Sequence, residues 1–250
     1  TTFDDVNAAG PEMPLGVLVS EGQTPTSHTP DSVLAYGQTY YWRIDEVNAA
    51  PDYTVFKGNL WSFTVEPFAY LIENIIATSN ATSTETGGPE NTVNGSGLNA
   101  DDEHSTLSED MWLGTPETEP VYIQYEFDSL YKLYEMSVWN YNVQFEEMLG
   151  FGLKEVAIEY SENGTDWTVL AEMELAQATG LIDYTANTIV DFAGVAARYV
   201  RITVNSGWGS RGQFGLSEVR FLHIPVQARD PQPVDGDADV SVTTDLSWRA

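Results

Sequence analysis

Acidic side chains are densest between residues 101 and 110, where five of ten residues are Asp or Glu. Such a stretch can supply several of the about six to eight oxygen ligands that a Ca²⁺ ion takes. Acidic runs of this length also occur in loops whose charges are simply solvated. On density alone the stretch favours a solvated loop, and an oxygen-rich cation site is the alternative.

The motifs of the common catalytic sites are missing from the sequence. There is no Gly-x-Ser-x-Gly, no His-Glu-x-x-His and no phosphate-binding loop. The three histidines, His28, His104 and His223, do not have the spacing of metal ligands. Carboxylates are plentiful, so counting them does not by itself exclude the acidic pair of a glycosidase.

The net charge narrows the choice of partners. The 250 residues include 38 Asp and Glu against ten Lys and Arg, a formal net charge of −28. Nucleic acid and anionic lipid would repel such a chain.

The absence of Cys excludes disulfides, thiolate metal sites and a cysteine nucleophile. No apolar run has the length of a membrane span, and the first residues lack a signal peptide, so we interpret the sequence as a mature or excised segment.

Short runs with alternating apolar residues dominate the sequence and predict β-strands with one buried face. The Asn163-Gly164 pair separates two such runs and is typical of a hairpin turn, because both residues tolerate positive φ. Long helical periodicity is absent, so the predicted fold class is all-β, and the strand spacing indicates sandwiches. The tryptophans in strand or loop-closing patterns are interpreted as core residues: Trp42, Trp61, Trp112, Trp139, Trp167 and Trp248.

Prolines and changes in composition divide the chain into residues 1–66, 67–225 and 226–250. The last segment resembles the first strands of a fibronectin type III domain, and the first segment resembles its last strands. Neither segment has the about 100 residues of a complete sandwich. Either the sequence is cut from a longer chain of alternating domains, or the tail strands of one molecule complete the first segment of the next by strand addition.

The middle segment contains a series of stretches found in the same order in one family. They are an Asn94-Gly95 loop, the Met111-Trp112 pair, strand-like runs at 121–127 and 136–141, a strand-Ser-turn-Gly-Trp hairpin at 156–167, and closing strands at 197–202 and 214–219. Residues 67–225 thereby resemble the discoidin, or coagulation-factor type C, family. The resemblance implies a central jelly-roll β-sandwich that is not an enzyme and binds glycans, or occasionally lipids or proteins, through loops at one end.

For the glycan site that the resemblance implies, the best candidate is the glycine-rich loop at residues 205–214. Its Trp208 can stack on a sugar ring, and its Arg211 can bridge two hydroxyl groups or pair with a carboxylate. Asn140 and Tyr141 end another strand at the expected rim and are included as candidates. In the alternative interpretation Trp208 packs under its own loop and Arg211 forms a structural salt bridge.

The resemblance also implies a Ca²⁺ site, because in many carbohydrate-binding relatives the ion joins the Asp-Gly loop to the last strand. The expected ligands, besides backbone oxygens, are Asn94, Asp102, Ser105 and Glu218, with Asp101 as an alternative to Asp102. Asn94 stands where the family usually has Asp, and the loop is longer than usual. In the alternative interpretation Glu218 only accepts hydrogen bonds from N–H groups of the loop.

These patterns predict a non-catalytic, extracellular or cell-surface protein whose central jelly roll is flanked by fibronectin type III-like segments. The first hypothesis is a glycan-binding, adhesive part of a repetitive bacterial surface protein. The alternative is a structural subunit of an extracellular filament or surface layer, in which residues 226–250 of one copy join residues 1–66 of the next.

Overall fold

The computed structural model describes residues 2–10, 16–226, 229–234, 236–238, 240–241 and 243–249. The chain divides into two units, Thr1–Phe68 and Ala69–Ala250, and each is described by itself. This division lies two residues beyond the predicted boundary after residue 66. The assignment of residues 226–250 to a further fibronectin type III-like domain stays a prediction. No helix among the described residues is long and apolar enough to cross a membrane.

The described residues of the first unit form one short helix and four strands. They are α1 (Phe3–Ala8), β1 (Thr39–Arg43), β2 (Glu46–Val47), β3 (Val55–Phe56) and β4 (Leu60–Thr64). Strand β1 pairs with β4 and β2 with β3, both antiparallel. Arg43 joins the helix to β1, because its guanidinium forms an ion pair with Asp45 at 2.7 Å and also donates to the carbonyls of Val6 and Ala9.

Trp42 and Trp61 lie opposite each other on β1 and β4, with ring centroids 4.8 Å apart. Their side chains remain 44% and 47% exposed, so the prediction that both are core residues is wrong. The reason is that β1 and β4 form a two-stranded ladder, and no second sheet covers the two rings within the described residues of this unit. The fibronectin type III-like character of this segment stays a prediction.

Most of the regular secondary structure among the described residues of the second unit is β-strand. Its strands are β5 (Tyr70–Leu71), β6 (Ile76–Ser79), β7 (Thr82–Ser83), β8 (Trp112–Thr115), β9 (Val121–Asn140), β10 (Glu155–Ser161), β11 (Thr168–Glu174), β12 (Thr188–Asp191), β13 (Ala196–Val204), β14 (Phe214–Ile224), β15 (Arg229–Gln232) and β16 (Ser247–Arg249). Its helical turns are α2 (Glu146–Leu149) and two 3-10 helices, Pro89–Thr92 and Ser108–Asp110.

Strand β9 organises the sandwich because its two halves have different partners. The half at 121–127 pairs with β6 and β13, and the half from about residue 131 onward pairs with β12 and β14. Strands β10 and β11 extend the first layer, and β8 and β7 extend the second. All of these pairings are antiparallel, and they confirm the predicted all-β jelly-roll class.

The alternating pattern of β9 places its apolar side chains in the core. Val121, Ile123, Tyr125 and Phe127 are fully buried, whereas the residues between them are half-buried. Burial of apolar side chains of this size contributes roughly 1.5–3 kcal/mol each. The core prediction is confirmed for two tryptophans of this unit and wrong for a third: Trp112 and Trp139 are buried, and Trp167 is half-buried beside Arg201. The side chain of Trp248 lies outside the described residues.

The strand register brings three loops to the same end of the sandwich. Val204 pairs with Val121 of β9 and with Val156 of β10, and Leu216 pairs with Asn140. The loops at 141–154, 175–187 and 205–213 therefore leave the strands at one end. Antiparallel pairing thus brings together loops that are far apart in sequence, such as 141–154 and 205–213.

Candidate functional site

Backbone hydrogen bonds join the segment 150–152 to the loop at 205–214. Trp208 donates to the carbonyl of Gly152 at 3.0 Å, and Gly209 donates to that of Gly150 at 2.8 Å. Gly150 has a φ of +66°, and a Cβ placed on it would lie 2.4 Å from the nitrogen of Gly209. Glycine is therefore required at this approach. We call the surface formed by residues 150–154 and 205–213 the rim.

Trp208 is half-buried in the rim rather than fully exposed. Its indole Nε1 donates to the carbonyl of Leu175 at 3.2 Å, and the ammonium of Lys154 lies 4.8 Å from the ring centroid. The cation–π contact with Lys154 is of a kind that orients the ring. Trp208 is thus held in place by two contacts, and its role toward a sugar stays a prediction.

Arg211 is exposed at the tip of the same loop. Its guanidinium carbon lies 5.7 Å from the ring centroid of Phe151, which is half-buried. Among the described residues Arg211 forms no ion pair, unlike Arg43, Arg198 and Arg220. The structure therefore favours an Arg211 with free donors over the structural salt bridge that was the alternative.

Asn140 is fully buried, so its prediction as a ligand-binding residue is wrong. Its amide donates to the carbonyls of Leu153 and Ala176 at 2.7 and 2.8 Å, and its Oδ1 accepts from the N–H of Leu153 at 3.0 Å. The physical reason is that strand ends leave backbone polar groups without ladder partners, and buried groups of this kind need a hydrogen bond. Asn140 supplies these bonds and thereby fixes where β10 begins.

Tyr141 is also buried and cannot contact a ligand, so its prediction as a binding residue is wrong as well. Its ring packs edge-on against Phe151, with centroids 5.9 Å apart. It also fills the space beside Gly215, where a Cβ would lie 2.4 Å from the Tyr141 ring. Tyr141 therefore supports the rim from below, and Phe151 is the aromatic side chain of that pair that reaches the surface.

Among the predicted cation ligands, Asn94 and Glu218 lie on segments that are in contact. The N–H of Gly95 donates to Glu218 at 3.3 Å, and the Oδ1 of Asn94 accepts from the N–H of Ser96 at 2.8 Å. Glu218 is buried, and this burial raises the pKa of its carboxyl to about 7. The hydrogen bond from Gly95 and the charge of Arg220 lower the pKa and offset part of this rise. The Glu218 carboxyl is buried and accepts one long hydrogen bond, from Gly95. A cation bound beside it would stabilise its negative charge.

The other two predicted ligands have partners of their own. The Asp102 carboxylate forms an ion pair with Arg220 at 2.7 Å, and Ser105 donates to the carboxylate of Asp110. In the part of the chain that the structure describes, no three His, Cys, Asp or Glu side chains are grouped so that they could hold a metal. The fit to a cation therefore rests on Glu218 and on the oxygens of the Asn94-Gly95 loop.

Comparison with known families agrees with this architecture. Residues 74–219, which include β9, the rim, the Asn94-Gly95 loop and Glu218, match the sequence model of the F5/8 type C domain. The chain belongs to the F5/8 type C family. A comparison with curated proteins finds no match.

Solved structures resembling this F5/8 type C domain are distant in sequence. The Clostridium perfringens module CpGH89CBM32-5, in complex with GalNAc-beta-1,3-galactose, shares 13% identity over 61% of this chain and 99% of its own, with a TM-score of 0.46. The family 32 module of C. perfringens NanJ, in complex with galactose, shares 13% identity over 60% and 93%, with a TM-score of 0.43. The chain also resembles the family 89 glycoside hydrolase of C. perfringens, at 14% identity and a TM-score of 0.41, but it spans only 14% of the length of that enzyme.

Sequence reasoning missed a buried carboxyl of the F5/8 type C domain, Glu146. Its Oε1 accepts from the N–H of Gly152 at 2.7 Å, and its buried Oε2 has no partner among the described residues. Burial raises the pKa of Glu146 to about 7. Nothing in the sequence distinguishes Glu146 from its exposed neighbour Glu147. In contrast, the missed Phe151 was detectable as an aromatic residue between two glycines at a loop end.

Proposed function

We propose that the F5/8 type C domain of this chain binds a glycan at the rim and carries out no chemistry on it. The observation that carries the proposal is the exposed guanidinium of Arg211, which lies beside the ring of Phe151 and forms no ion pair with any residue that the structure describes. A guanidinium has five N–H donors and can bridge hydroxyl groups, while an aromatic ring packs on the apolar face of a sugar. Trp208 provides a second ring on the same loop.

The rigidity of the rim supports this proposal. The backbone bonds between 150–152 and 205–215 and the contacts of Trp208 fix the loop before any ligand arrives. A preformed site loses less conformational entropy on binding than a mobile loop does. A rim held by its own backbone therefore presents Phe151, Trp208 and Arg211 to a ligand in fixed positions.

The proposal is tested by screening the full chain on a glycan array and titrating galactose and N-acetylgalactosamine first. We expect Arg211→Ala and Trp208→Ala to weaken binding about tenfold or more, because each removes a direct contact. Arg198→Ala is the matched control, since it removes an exposed arginine from the strand β13 instead of the rim. Unchanged affinity in both rim variants, or no glycan bound by the wild type, would contradict the proposal.

We further propose that this binding serves adhesion outside the cell, as part of a repetitive bacterial surface protein. The support is the strongly acidic, cysteine-free composition and the predicted alternation of fibronectin type III-like and jelly-roll segments. A strongly acidic surface stays well solvated, which suits a protein that is exposed to the medium.

We also propose that Glu218 of β14 and the Asn94-Gly95 loop bind Ca²⁺. Glu218 and the Asn94 side-chain oxygen would hold the ion together with backbone oxygens, and the ion would join the 94–97 loop to β14. Ca²⁺ prefers such hard oxygen ligands, and a cation beside Glu218 offsets the cost of burying its charge. Asp102 could bind the ion only after breaking its ion pair with Arg220, and Ser105 only after breaking its hydrogen bond to Asp110.

The test is thermal unfolding of the full chain with Ca²⁺ and with a chelator. At a Ca²⁺ concentration one hundred times Kd, binding adds about 2.7 kcal/mol to stability. We expect a higher melting temperature for the wild type and no such shift for Glu218→Gln, whereas Glu162→Gln, an exposed acid in the 161–167 turn, keeps the shift. A wild-type melting temperature that is the same with Ca²⁺ and with a chelator would exclude the site.

A second candidate function is the joining of copies through the first unit. The observation that favours it is the half-exposed aromatic face of β1 and β4, where Trp42, Trp61 and Phe63 are 44–47% exposed. Two-stranded ladders are marginal unless another element covers an apolar face. We propose that strands from residues 226–250 of a second copy provide this cover.

A further inference from the structure

The sequence contains two Asn-Gly pairs, Asn94-Gly95 and Asn163-Gly164. In such a pair the backbone nitrogen of the glycine can attack the side-chain Cγ of the asparagine, because glycine has no Cβ to obstruct the approach. The attack closes a five-membered succinimide ring and releases ammonia, and water then opens the ring. Because the two pairs have the same chemistry, a difference in their reactivity depends on the groups around them.

The surroundings of the Asn94-Gly95 pair contain the groups that this reaction needs. The N–H of Gly95 donates to the Glu218 carboxylate at 3.3 Å, so an acceptor for the proton lies beside the attacking nitrogen. The N–H of Ser96 donates to the Oδ1 of Asn94 at 2.8 Å, where negative charge develops during the attack. The Nδ2 of Asn94, which must leave, makes only a long bond of 3.4 Å to Asn91. A positioned base and a donor at the oxyanion are two recurring devices of catalysis.

The space around Gly95 also permits the attack. A Cβ placed on Gly95 would meet no atom of the described residues within 4 Å, so the neighbouring side chains do not confine the glycine. Asn94 itself is half-buried, and Gly95 is exposed. The loop therefore has room for the small movement that joins the nitrogen of Gly95 to the Cγ of Asn94.

The Asn163-Gly164 pair lacks this arrangement. The N–H of Gly164 donates at 2.9 Å to the hydroxyl of Ser161, which is neutral and a much weaker base than a carboxylate. The Nδ2 of Asn163 is held by the Asp166 carboxylate at 2.7 Å. The Oδ1 of Asn163 accepts from the N–H groups of Thr165 and Asp166, both at 2.9 Å. The hairpin turn thus fixes both ends of the amide and places no carboxylate at the attacking nitrogen.

We propose that Asn94 is a self-modifying residue, which Glu218 helps to convert to aspartate. Glu218 accepts the proton of the Gly95 N–H while the nitrogen bonds to the Cγ of Asn94, and the N–H of Ser96 stabilises the oxyanion on Oδ1. The bond from Cγ to Nδ2 then breaks, and this nitrogen takes the proton and leaves as ammonia. Water opens the succinimide at Cγ to give aspartate at position 94, or at the main-chain carbonyl to give isoaspartate.

The aspartate product adds a carboxylate to the loop that contacts Glu218. Two carboxylates offer a hard divalent cation more charge than one carboxylate and an amide do. The affinity for Ca²⁺ would then rise as the chain ages. This consequence rests on the proposed Ca²⁺ site, whereas the deamidation itself does not.

The deamidation is tested by incubating the full chain with a chelator in water labelled with heavy oxygen, followed by proteolysis and mass spectrometry. We expect Asn94 to take up the label about tenfold faster than Asn163 in the folded protein. In urea, where both pairs lose their surroundings, the two rates should be equal. The proposal is overturned if Asn163 reacts as fast as Asn94 in the folded protein, or if the difference persists in urea.

A variant tests the role of Glu218 directly. Glu218→Gln has nearly the same size and removes the base, so the rate at Asn94 should fall about tenfold toward that of Asn163. Glu90→Gln, an exposed acid of the 3-10 helix before the loop, is the matched control and should react like the wild type. A loosened loop would raise the rate at Asn94, so a fall is not explained by partial unfolding. An unchanged or higher rate in a folded Glu218→Gln variant contradicts the role of Glu218, and the comparison with urea needs no variant at all.

The consequence for Ca²⁺ has a separate test. Asn94→Asp mimics the product, and Ca²⁺ should raise its melting temperature more than that of freshly prepared wild type. Asn163→Asp makes the same change at the other pair and should give the wild-type rise. An equal rise in Asn94→Asp and fresh wild type overturns the consequence. No rise in either refutes the proposed Ca²⁺ site and leaves the deamidation of Asn94 standing.

Discussion

At the residue scale, Glu146 links a single buried carboxyl to the geometry of the rim. Its Oε1 accepts from the N–H of Gly152, and the carbonyl of Gly152 accepts from the N–H of Trp208. Glu146 is thus linked to Trp208, a candidate glycan contact, through Gly152 alone. We regard Glu146 as a positioning residue. Its other carboxyl oxygen is buried and has no hydrogen-bond partner in the described part of the chain, which favours the protonated acid.

The protonation of Glu146 makes stability depend on pH. Its ordinary pKa of 4.5 rises to about 7 in the folded state, so the folded protein holds this proton more tightly than the unfolded chain. The stabilisation is therefore complete below about pH 4.5 and is lost as the pH rises through about 7. A shift of this size corresponds to roughly 3 kcal/mol. We expect the unfolding free energy, measured in urea from pH 5 to pH 8, to fall less steeply in Glu146→Gln than in the wild type.

The neighbouring acid provides the control for this prediction. Glu147→Gln makes the same substitution in the same helical turn, but Glu147 is exposed, so this variant should keep the pH profile of the wild type. The role of Glu146 is refuted if the two variants give superimposable profiles. A positioning role also predicts that Glu146→Gln retains glycan affinity, since the amide can still accept from Gly152.

At the scale of elements, alternation in the sequence identified the strands well. The run at 121–127 coincides with the buried and half-buried alternation of β9, and the hairpin at Asn163-Gly164 connects β10 and β11. The sequence did not show that the run at 136–141 belongs to the same strand as 121–127. Periodicity is local, whereas the passage of β9 from one layer to the other, through exposed residues 128–130, depends on its partners.

The sequence predicted the candidate site correctly only where the position of a side chain depends on its own loop and not on distant backbone groups. Arg211 was identified correctly as an exposed group, because a glycine-rich loop between strands must leave the sandwich. Asn140 was misplaced, because its role is to satisfy backbone groups of Leu153 and Ala176, and no sequence pattern reveals which loop returns beside it. Asn142 has a similar role toward the backbone of two other loops and was likewise not recognised.

At the scale of the whole molecule, the charge of −28 opposes any association between copies. Added salt shortens the Debye length from about 10 Å at 0.1 M to about 3 Å at 1 M and so weakens this repulsion. Association driven by apolar surface should therefore increase with salt, whereas association driven by ion pairs would decrease. The salt dependence distinguishes the two mechanisms without knowledge of the interface.

The half-exposed rings on β1 and β4 give this argument a specific test. If they are covered by another copy, sedimentation velocity of the full chain should show species larger than a monomer that grow with protein and salt concentration. Trp42→Ser combined with Trp61→Ser should abolish them, because the pair forms the centre of the exposed face. Val169→Ser removes a comparably exposed apolar residue from β11 of the second unit and should have no effect. A wild type that stays monomeric throughout, or a double variant that associates equally, would remove the proposed joining of copies and leave glycan binding unaffected.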